Sequence, residues 1–462
     1  MAKKILNEVM GLPQSLSITG SPTYHEHSME FHVEAPPPED PICPACGSHH
    51  CRSKGSDGES SIHHLPCGDR ATMVNVKRLR YSCDECSTSF TYRYPWMHGN
   101  LPLTMALYTR ICTELSGTGS IKSVALTTHT TSGIVRGVLE SIEFARPESL
   151  PKVMCFDEFK GDSGEWKPED GRFTSNKYHC NIVDWEARKV LDILPTRVEA
   201  DLRKYFRDYP ASARENVEFL CCDMHEGFSN LCGSVFPNAV VCVDHFHVVK
   251  RLLRVLDEVR IRYQNELKEQ IALDPDNEIL QKKRKSLQRS AKLLRTWEEN
   301  IPKYWRKNTP AARRRLRKLF SVYPDLQAVY DSVQEFHMLS TQEIQALRMA
   351  DLSEWIDRSL SSDVPELRSA AETIEKWKEP LLKSFETGFS NGPVEGINNR
   401  IKVLKRNAHG FRNFENFRKR ILLCCGCGRL SQEEHSIVNE RRNTAAKSAG
   451  TAGSKTMKGD KP

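Results

Sequence analysis

Lys152-Val-Met-Cys-Phe-Asp157 is a short apolar run that ends on a carboxylate. Two later segments repeat the pattern: Val217-Glu-Phe-Leu-Cys-Cys222 delivers Asp223, and Ala239-Val-Val-Cys-Val243 delivers Asp244. Between the first two, Tyr178 to Asp184 and Lys189 to Leu194 read as a hairpin turning at Trp185 to Arg188. Residues 197–207 read as a helix, and a shorter helix is expected near 226–234. Three meandering strands, a helix, a strand, a helix and a strand make the element order of an RNase H-like fold. In that topology the first and fourth strands are neighbours, so Asp157 is expected beside Asp223.

A third acid lies far downstream, in Ser390-Asn-Gly-Pro-Val-Glu-Gly-Ile-Asn-Asn-Arg-Ile-Lys402. Pro393 favours the first position of a helix, which puts Gly392 at the cap and Glu395 in the first turn. Exposed amides there stabilise a negative charge. Asn399 and Lys402 fall on the same face as Glu395, at i+4 and i+7. Carboxylates that a fold brings together call for hard divalent cations. Two such ions about 3.5–4 Å apart clamp an in-line phosphodiester displacement. The expected ligands of two Mg2+ or Mn2+ ions are therefore Asp157, Asp223 and Glu395. Asp244 is the rival for the second position, but strand order favours Asp223. Asp244, His245 and His247 are expected to support the site or the fold, since histidines at i, i+2 share no helix face.

The chain has 462 residues, a length that suggests about three domains. Its net charge of +7 is unevenly placed. Residues 250–318 carry 21 basic and 9 acidic residues, and residues 400–420 carry 8 and one. Concentrated positive charge points to a polyanion such as DNA, and Asn399, Arg400, Lys402, Lys405 and Arg406 are candidate contacts. The texture divides into an arm (1–40), a Cys/His-rich block (41–94), a helical stretch (100–146), strand–helix alternation (151–255), nearly continuous helix (256–385), the Glu395 segment (386–428) and an Ala/Gly/Ser/Lys tail (429–462), expected to be disordered. Leu287, Ala291, Leu294 and Trp297 mark a packing stripe in the helical part. No signal-like or membrane-spanning apolar stretch is present, so a cytoplasmic protein with reduced cysteines and no membrane partner is expected.

Cys43-Pro-Ala-Cys46 and Cys83-Asp-Glu-Cys86 are paired knuckles that match a tetrahedral structural zinc site. Their separation exceeds the usual ribbon spacing, and Cys51, Cys67, His49, His50, His63 and His64 are alternative ligands. A basic strand within the block offers Lys77, Arg78 and Arg80 to DNA. Residues 120–139 read as two helices around a turn, the second capped by Thr131 or Ser132. That pattern fits a helix-turn-helix presenting Thr131, Ser132 and Arg136 to a major groove.

The run from Phe389-Ser-Asn-Gly-Pro-Val-Glu-Gly-Ile-Asn-Asn-Arg to Phe417 resembles the C-terminal signature of bacterial insertion-sequence transposases of the ISL-three family. Phe156-Asp-Glu-Phe-Lys-Gly161, Cys222-Asp-Met-His225 and the segment from Pro237 to Lys250 resemble the same family. The resemblance implies an α/β RNase H-like DDE domain with a large all-α insertion before the glutamate. It implies that Asp157 bridges both ions, with Asp223 and Glu395 each holding one. It also implies cut-and-join chemistry on double-stranded DNA, at terminal inverted repeats and target, by a homodimer on paired ends. A catalytically silent DNA-binding descendant and a structure-specific nuclease on the same fold are the alternatives.

Overall fold

The computed structural model describes residues 7, 10–161, 166–167, 172–173, 178–296, 309–341, 345–411 and 413–426. The tail expected at 429–462 and Trp297 lie outside these described residues.

The first sheet contains β1 (Ser17–Tyr24), β2 (Ser28–Glu34), β3 (Cys51–Cys67), β4 (Arg70–Cys83) and β5 (Ser89–Thr91). Its order is β1-β2-β4-β3, with β5 also on β4. Residues 1–40 are expected as a separate arm, but β1 and β2 belong to this sheet. The cause is the alternation of β2, which turns Met29, Phe31 and Val33 inward onto Ile62, Val74 and Val76. Burying each such side chain is worth about 1.5–3 kcal/mol, enough to fasten the strand. The long β3–β4 hairpin pairs Cys51 with Cys83 and fills the interval between the knuckles.

Three helices follow, Met105–Leu115, Ile121–Thr127 and Ser132–Ser141. Each is capped by a hydroxyl, from Thr104, Ser120 and Thr131, accepting an amide of the first turn. Leu107, Ile111, Leu115, Val124, Val135, Val138 and Leu139 close their shared core.

β6 (Val153–Lys160) opens the second main sheet. After the short ribbon β7 (Trp166–Lys167) and β8 (Arg172–Phe173) come β9 (Tyr178–Asp184), β10 (Lys189–Leu194), β11 (Phe219–Cys222) and β12 (Val240–Val243). The order is β10-β9-β6-β11-β12. β9 is antiparallel to both β10 and β6, whereas β11 is parallel to both β6 and β12. Both faces are covered. Phe156 meets Phe206 and Phe228 on one side, while Val153, Cys155 and Phe159 meet Val394, Ile397, Ile401 and Phe417 on the other. That double burial explains why these strands read as continuous apolar runs.

From β12 the chain enters the helix His245–Leu273 and then Glu278–Ser290, Pro310–Phe320, Pro324–Thr341, Gln345–Leu360, Pro365–Lys376 and Lys378–Thr387. These helices bury a core of their own, including Leu287 and Leu294. The helix carrying Leu287 ends at Ser290, so the stripe expected to continue along it is broken by a turn. Helix Lys378–Thr387 packs back against β12, which returns the chain to the sheet and starts helix Gly392–Asn407. The last helix, Phe414–Cys425, joins the sheet to the three-helix block. Its buried Arg420 donates to the carbonyls of Gly117 (3.2 Å) and Gly119 (2.6 Å), and burial lowers its pKa to about 10. Among the described residues, no helix is long and apolar enough to cross a membrane.

Candidate active site

β6 and β11 run parallel with Cys155 opposite Cys221. Asp157 and Asp223, each two residues further on, therefore stand level with one another: Asp223 directly follows the last residue of β11, whereas Asp157 lies within β6, which runs on to Lys160. Burial raises Asp157 to about 6; the Glu158 amide, 2.7 Å from Oδ1, opposes this and the charge of Asp223 adds to it. Burial raises Asp223 as well, against the pull of His247 and His225. Oδ1 of Asp223 is buried without a hydrogen-bond partner. Two desolvated acids side by side disfavour their own ionisation, and a divalent cation reverses that balance. This donor set fits Mg2+ or Mn2+.

Glu395 lies in the first turn of Gly392–Asn407, exposed on one face with Asn399 and Lys402. The helix begins at Gly392, the residue expected to cap it, and Asn391 occupies the cap position. Asn391 does not cap. Its Nδ2 donates to the carbonyl of Phe156 at 3.0 Å. One turn beyond Glu395, Asn398 Nδ2 donates to Asp157 Oδ2 at 2.6 Å, and Asn398 Oδ1 accepts from Asn181 Nδ2 at 3.1 Å. The Glu395 helix is thus bonded to β6 at two successive residues.

The three acids are not packed as tightly as ligands of one ion. Among the described residues, the four knuckle cysteines are the group of three or more His, Cys, Asp or Glu whose ligand atoms all lie within 4.8 Å. A two-ion site has no such need. With ions about 3.5–4 Å apart and oxygens about 2.1 Å from each, its outer ligands can stand about 8 Å apart.

Asp244 is buried and caps the helix His245–Leu273, accepting from Phe246 N at 3.0 Å. His245 stands 3.8 Å from Asp244 and packs on Phe385. Both serve the helix start. His247 instead lies close enough for its charge to lower both Asp157 and Asp223.

The candidate DNA contacts divide. Lys77, Ser132, Arg136, Asn399, Arg400, Lys402 and Arg406 are exposed. Thr131 is exposed but uses its hydroxyl oxygen to cap Ile134 N. Arg78 and Arg80 both pair with Asp57, at 2.8 and 3.1 Å. Lys405 donates to the carbonyls of Lys160 and Gly161, holding the helix to the end of β6.

Cys43 Sγ lies 3.6 Å from Cys86 Sγ, and Cys46 Sγ 3.6 Å from Cys83 Sγ. Zinc–sulfur bonds of about 2.3 Å put tetrahedral sulfurs about 3.8 Å apart, so the four fit zinc. Each knuckle turns through a left-handed residue, Gly47 (φ 75°) and Ser87 (φ 61°). The Thr88 hydroxyl and amide lower Cys86 to about 6, favouring the thiolate that zinc needs. Of the alternative ligands, His64 is buried between Met10 O (2.7 Å) and Thr104 Oγ1 (2.9 Å), and His49 pairs with Asp40.

Comparison with known proteins fits this geometry. A family described as transposase, the ISL3 DDE group, matches residues 154–421. The chain belongs to the ISL3 family of insertion-sequence transposases. A second family, described as the zinc-finger of transposase IS204/IS1001/IS1096/IS1165, matches residues 39–86. The chain is 25% identical over 381 residues to the transposase for insertion sequence element IS1001 of Bordetella parapertussis, covering 81% of this chain and 86% of that one. It is 21% identical over 243 residues to the transposase for insertion sequence element IS1557 of Mycobacterium tuberculosis, covering 52% and 54%. A 51-residue segment is 49% identical to a protein described as an ATP-dependent protease of Lactococcus lactis subsp. lactis, covering 11% and 16%, too little to carry an activity.

The sequence reading missed the asparagines. Asn398 sits among the buried Val394, Ile397 and Ile401, so a polar residue on the apolar face of the helix was the available signal.

Purified protein should hold one zinc per chain, and Cys86→Ala should lose it, with amides of residues 41–90 exchanging faster than the rest. Unchanged zinc content in that variant would refute the ligand set. In Mg2+-free buffer, the folded-state value of Asp157 (about 6) exceeds that of the free group (3.8). Its stabilising contribution is then fully present below pH 3.8 and lost as pH rises through about 6. Denaturant melts should show Asp157→Asn gaining stability over the wild type between about pH 4 and about pH 7; parallel pH–stability curves would contradict the burial.

Proposed function

We propose that this transposase cleaves and joins DNA through a DDE site on an RNase H-like sheet, using Asp157, Asp223 and Glu395 with two divalent ions. The supporting observation is the parallel β6–β11 pairing, with the Glu395 helix bonded to β6 at Phe156 and Asp157. The strand order, three antiparallel strands followed by two parallel ones, is the order of that fold. In this reading residues 151–255 and 386–428 form one catalytic domain, and residues 256–385 are inserted between its parts.

Bound divalent ions supply Lewis acidity to the phosphodiester. The protein's own part is to hold three acids together beside β6 and β11 and to seat the backbone. Attack by water breaks the P–O3′ bond, leaving a 3′-hydroxyl and a 5′-phosphate, and the proton passes to solvent. That hydroxyl then attacks a target phosphorus, displacing a new 3′-oxygen. Exposed cations seat the DNA: Arg400, Lys402 and Arg406 beside Glu395, and Arg313, Arg314, Arg315, Arg317 and Lys318 on helix Pro310–Phe320, which buries Leu316, Leu319 and Phe320. The zinc module and the helix-turn-helix, through Lys77, Ser132 and Arg136, read terminal inverted repeats. A cytoplasmic homodimer acting on paired ends completes the proposal.

Incubated with a duplex carrying the element's terminal repeat and Mg2+ or Mn2+, the protein should nick at the repeat end. Asp157→Ala, Asp223→Ala and Glu395→Ala should each lower that rate at least about a thousandfold while retaining duplex binding. Asp244→Ala should cost helix stability and leave any folded fraction active. Normal cutting by Asp223→Ala together with none by a folded Asp244→Ala would reverse the assignment of the second acid.

A further inference from the structure

We infer that Asn398 is a positioning residue for the metal site, setting the carboxylate of Asp157 relative to Glu395 on the same helix. The inference rests on the proposed DDE reading and assigns a role to a residue outside the triad.

Asn398 is buried (6% exposed) and Asn181 fully so. Asn398 Nδ2 donates to Asp157 Oδ2 at 2.6 Å, while Glu158 N donates to Oδ1 at 2.7 Å. Each oxygen of Asp157 thereby has one donor and keeps lone-pair capacity for a cation. The carboxylate plane is fixed from both sides. Asn398 itself cannot turn over without loss, because its Oδ1 accepts from Asn181 Nδ2 at 3.1 Å. A flipped amide would set oxygen against carboxylate and amide against amide. Asn181 is the residue directly across from Asp157 on β9. The three side chains therefore form a ladder from β9 through the helix to β6.

The consequence concerns geometry between ligands. Glu395 and Asn398 lie one turn apart on one helix, so the bond that orients Asp157 also fixes how far the Glu395 turn stands from it. Asn391 Nδ2 on Phe156 O holds the helix start independently. Loss of Asn398 should therefore loosen the carboxylate without releasing the helix. Partners that orient metal-holding groups typically matter 10–100-fold in metal affinity.

The test uses the full chain with zinc bound. Mn2+ binding is followed by the electron paramagnetic resonance signal of the free ion, alongside Mn2+-dependent nicking and thermal melting. Asn398→Leu should weaken Mn2+ binding at least about tenfold and raise the Mn2+ concentration for half-maximal nicking by the same factor. Asn181→Ala should show a smaller effect, and the double variant should be no weaker than Asn398→Leu alone. Asn398→Gln, which keeps the donor, should recover part of the affinity. A melting loss in Asn398→Leu with unchanged Mn2+ affinity would overturn the inference and leave the DDE reading intact. If the wild type neither binds Mn2+ nor nicks, the DDE reading itself fails.

Discussion

Parallel pairing of β6 with β11 is the interaction on which the rest of the site depends. It brings residues 157 and 223, 66 positions apart, level with one another on the adjacent inner strands β6 and β11, in a register already fixed by Cys155 opposite Cys221. Because side chains alternate along a strand, a slip of one residue would turn either acid to the opposite face. Cores on both sides of the sheet oppose such a slip: Met154 and Phe156 are committed to one, Val153 and Cys155 to the other. The packing that stabilises the domain therefore also sets the distance between the two acids.

The helical insertion changes the connectivity without changing that arrangement. It leaves from β12, builds a core of its own, and returns through a helix packed on β12. Apolar packing of Val394, Ile397 and Ile401 on the sheet recaptures the chain, and polar contacts add to it. Trp185 Nε1 donates to Ser390 O at 3.0 Å, Asn391 bonds Phe156 O, Asn398 bonds Asp157, and Lys405 bonds the carbonyls at the end of β6. Hydrogen bonds of this kind add modest net stability, but the buried and half-buried ones are expensive to leave unmade, which makes them good at specifying one docking pose. The final helix extends the same logic to the three-helix block through Arg420, which has backbone carbonyls as its hydrogen-bond partners.

Much of this was legible in the sequence because its periodicities are simple. Apolar runs ending in acids marked β6, β11 and β12, the break at Trp185 to Arg188 marked the β9–β10 hairpin, and the paired knuckles marked the cysteine cluster. Elements whose role depends on a distant partner were less legible. β2 alternates cleanly, yet nothing local says that it pairs with β4, beyond the intervening strand β3. Arg78 and Arg80 read as free cations because Asp57 is distant in sequence and meets them only across the β3–β4 hairpin. Lys405 reads as a phosphate contact because its carbonyl partners, Lys160 and Gly161, are distant in sequence. Asn398 was passed over for its exposed neighbour Asn399, since the face of a residue three positions from Glu395 matters only once the helix has docked.

The central claim is that three separated carboxylates serve one pair of ions, and anomalous diffraction from a Mn2+-soaked crystal tests it most directly. Two manganese peaks about 3.5–4 Å apart, bridged by Asp157 and flanked by Asp223 and Glu395, are the predicted result. Manganese bound at Asp157 and Asp223 with Glu395 pointing away, or at none of the three while the cysteine site holds zinc, would contradict it.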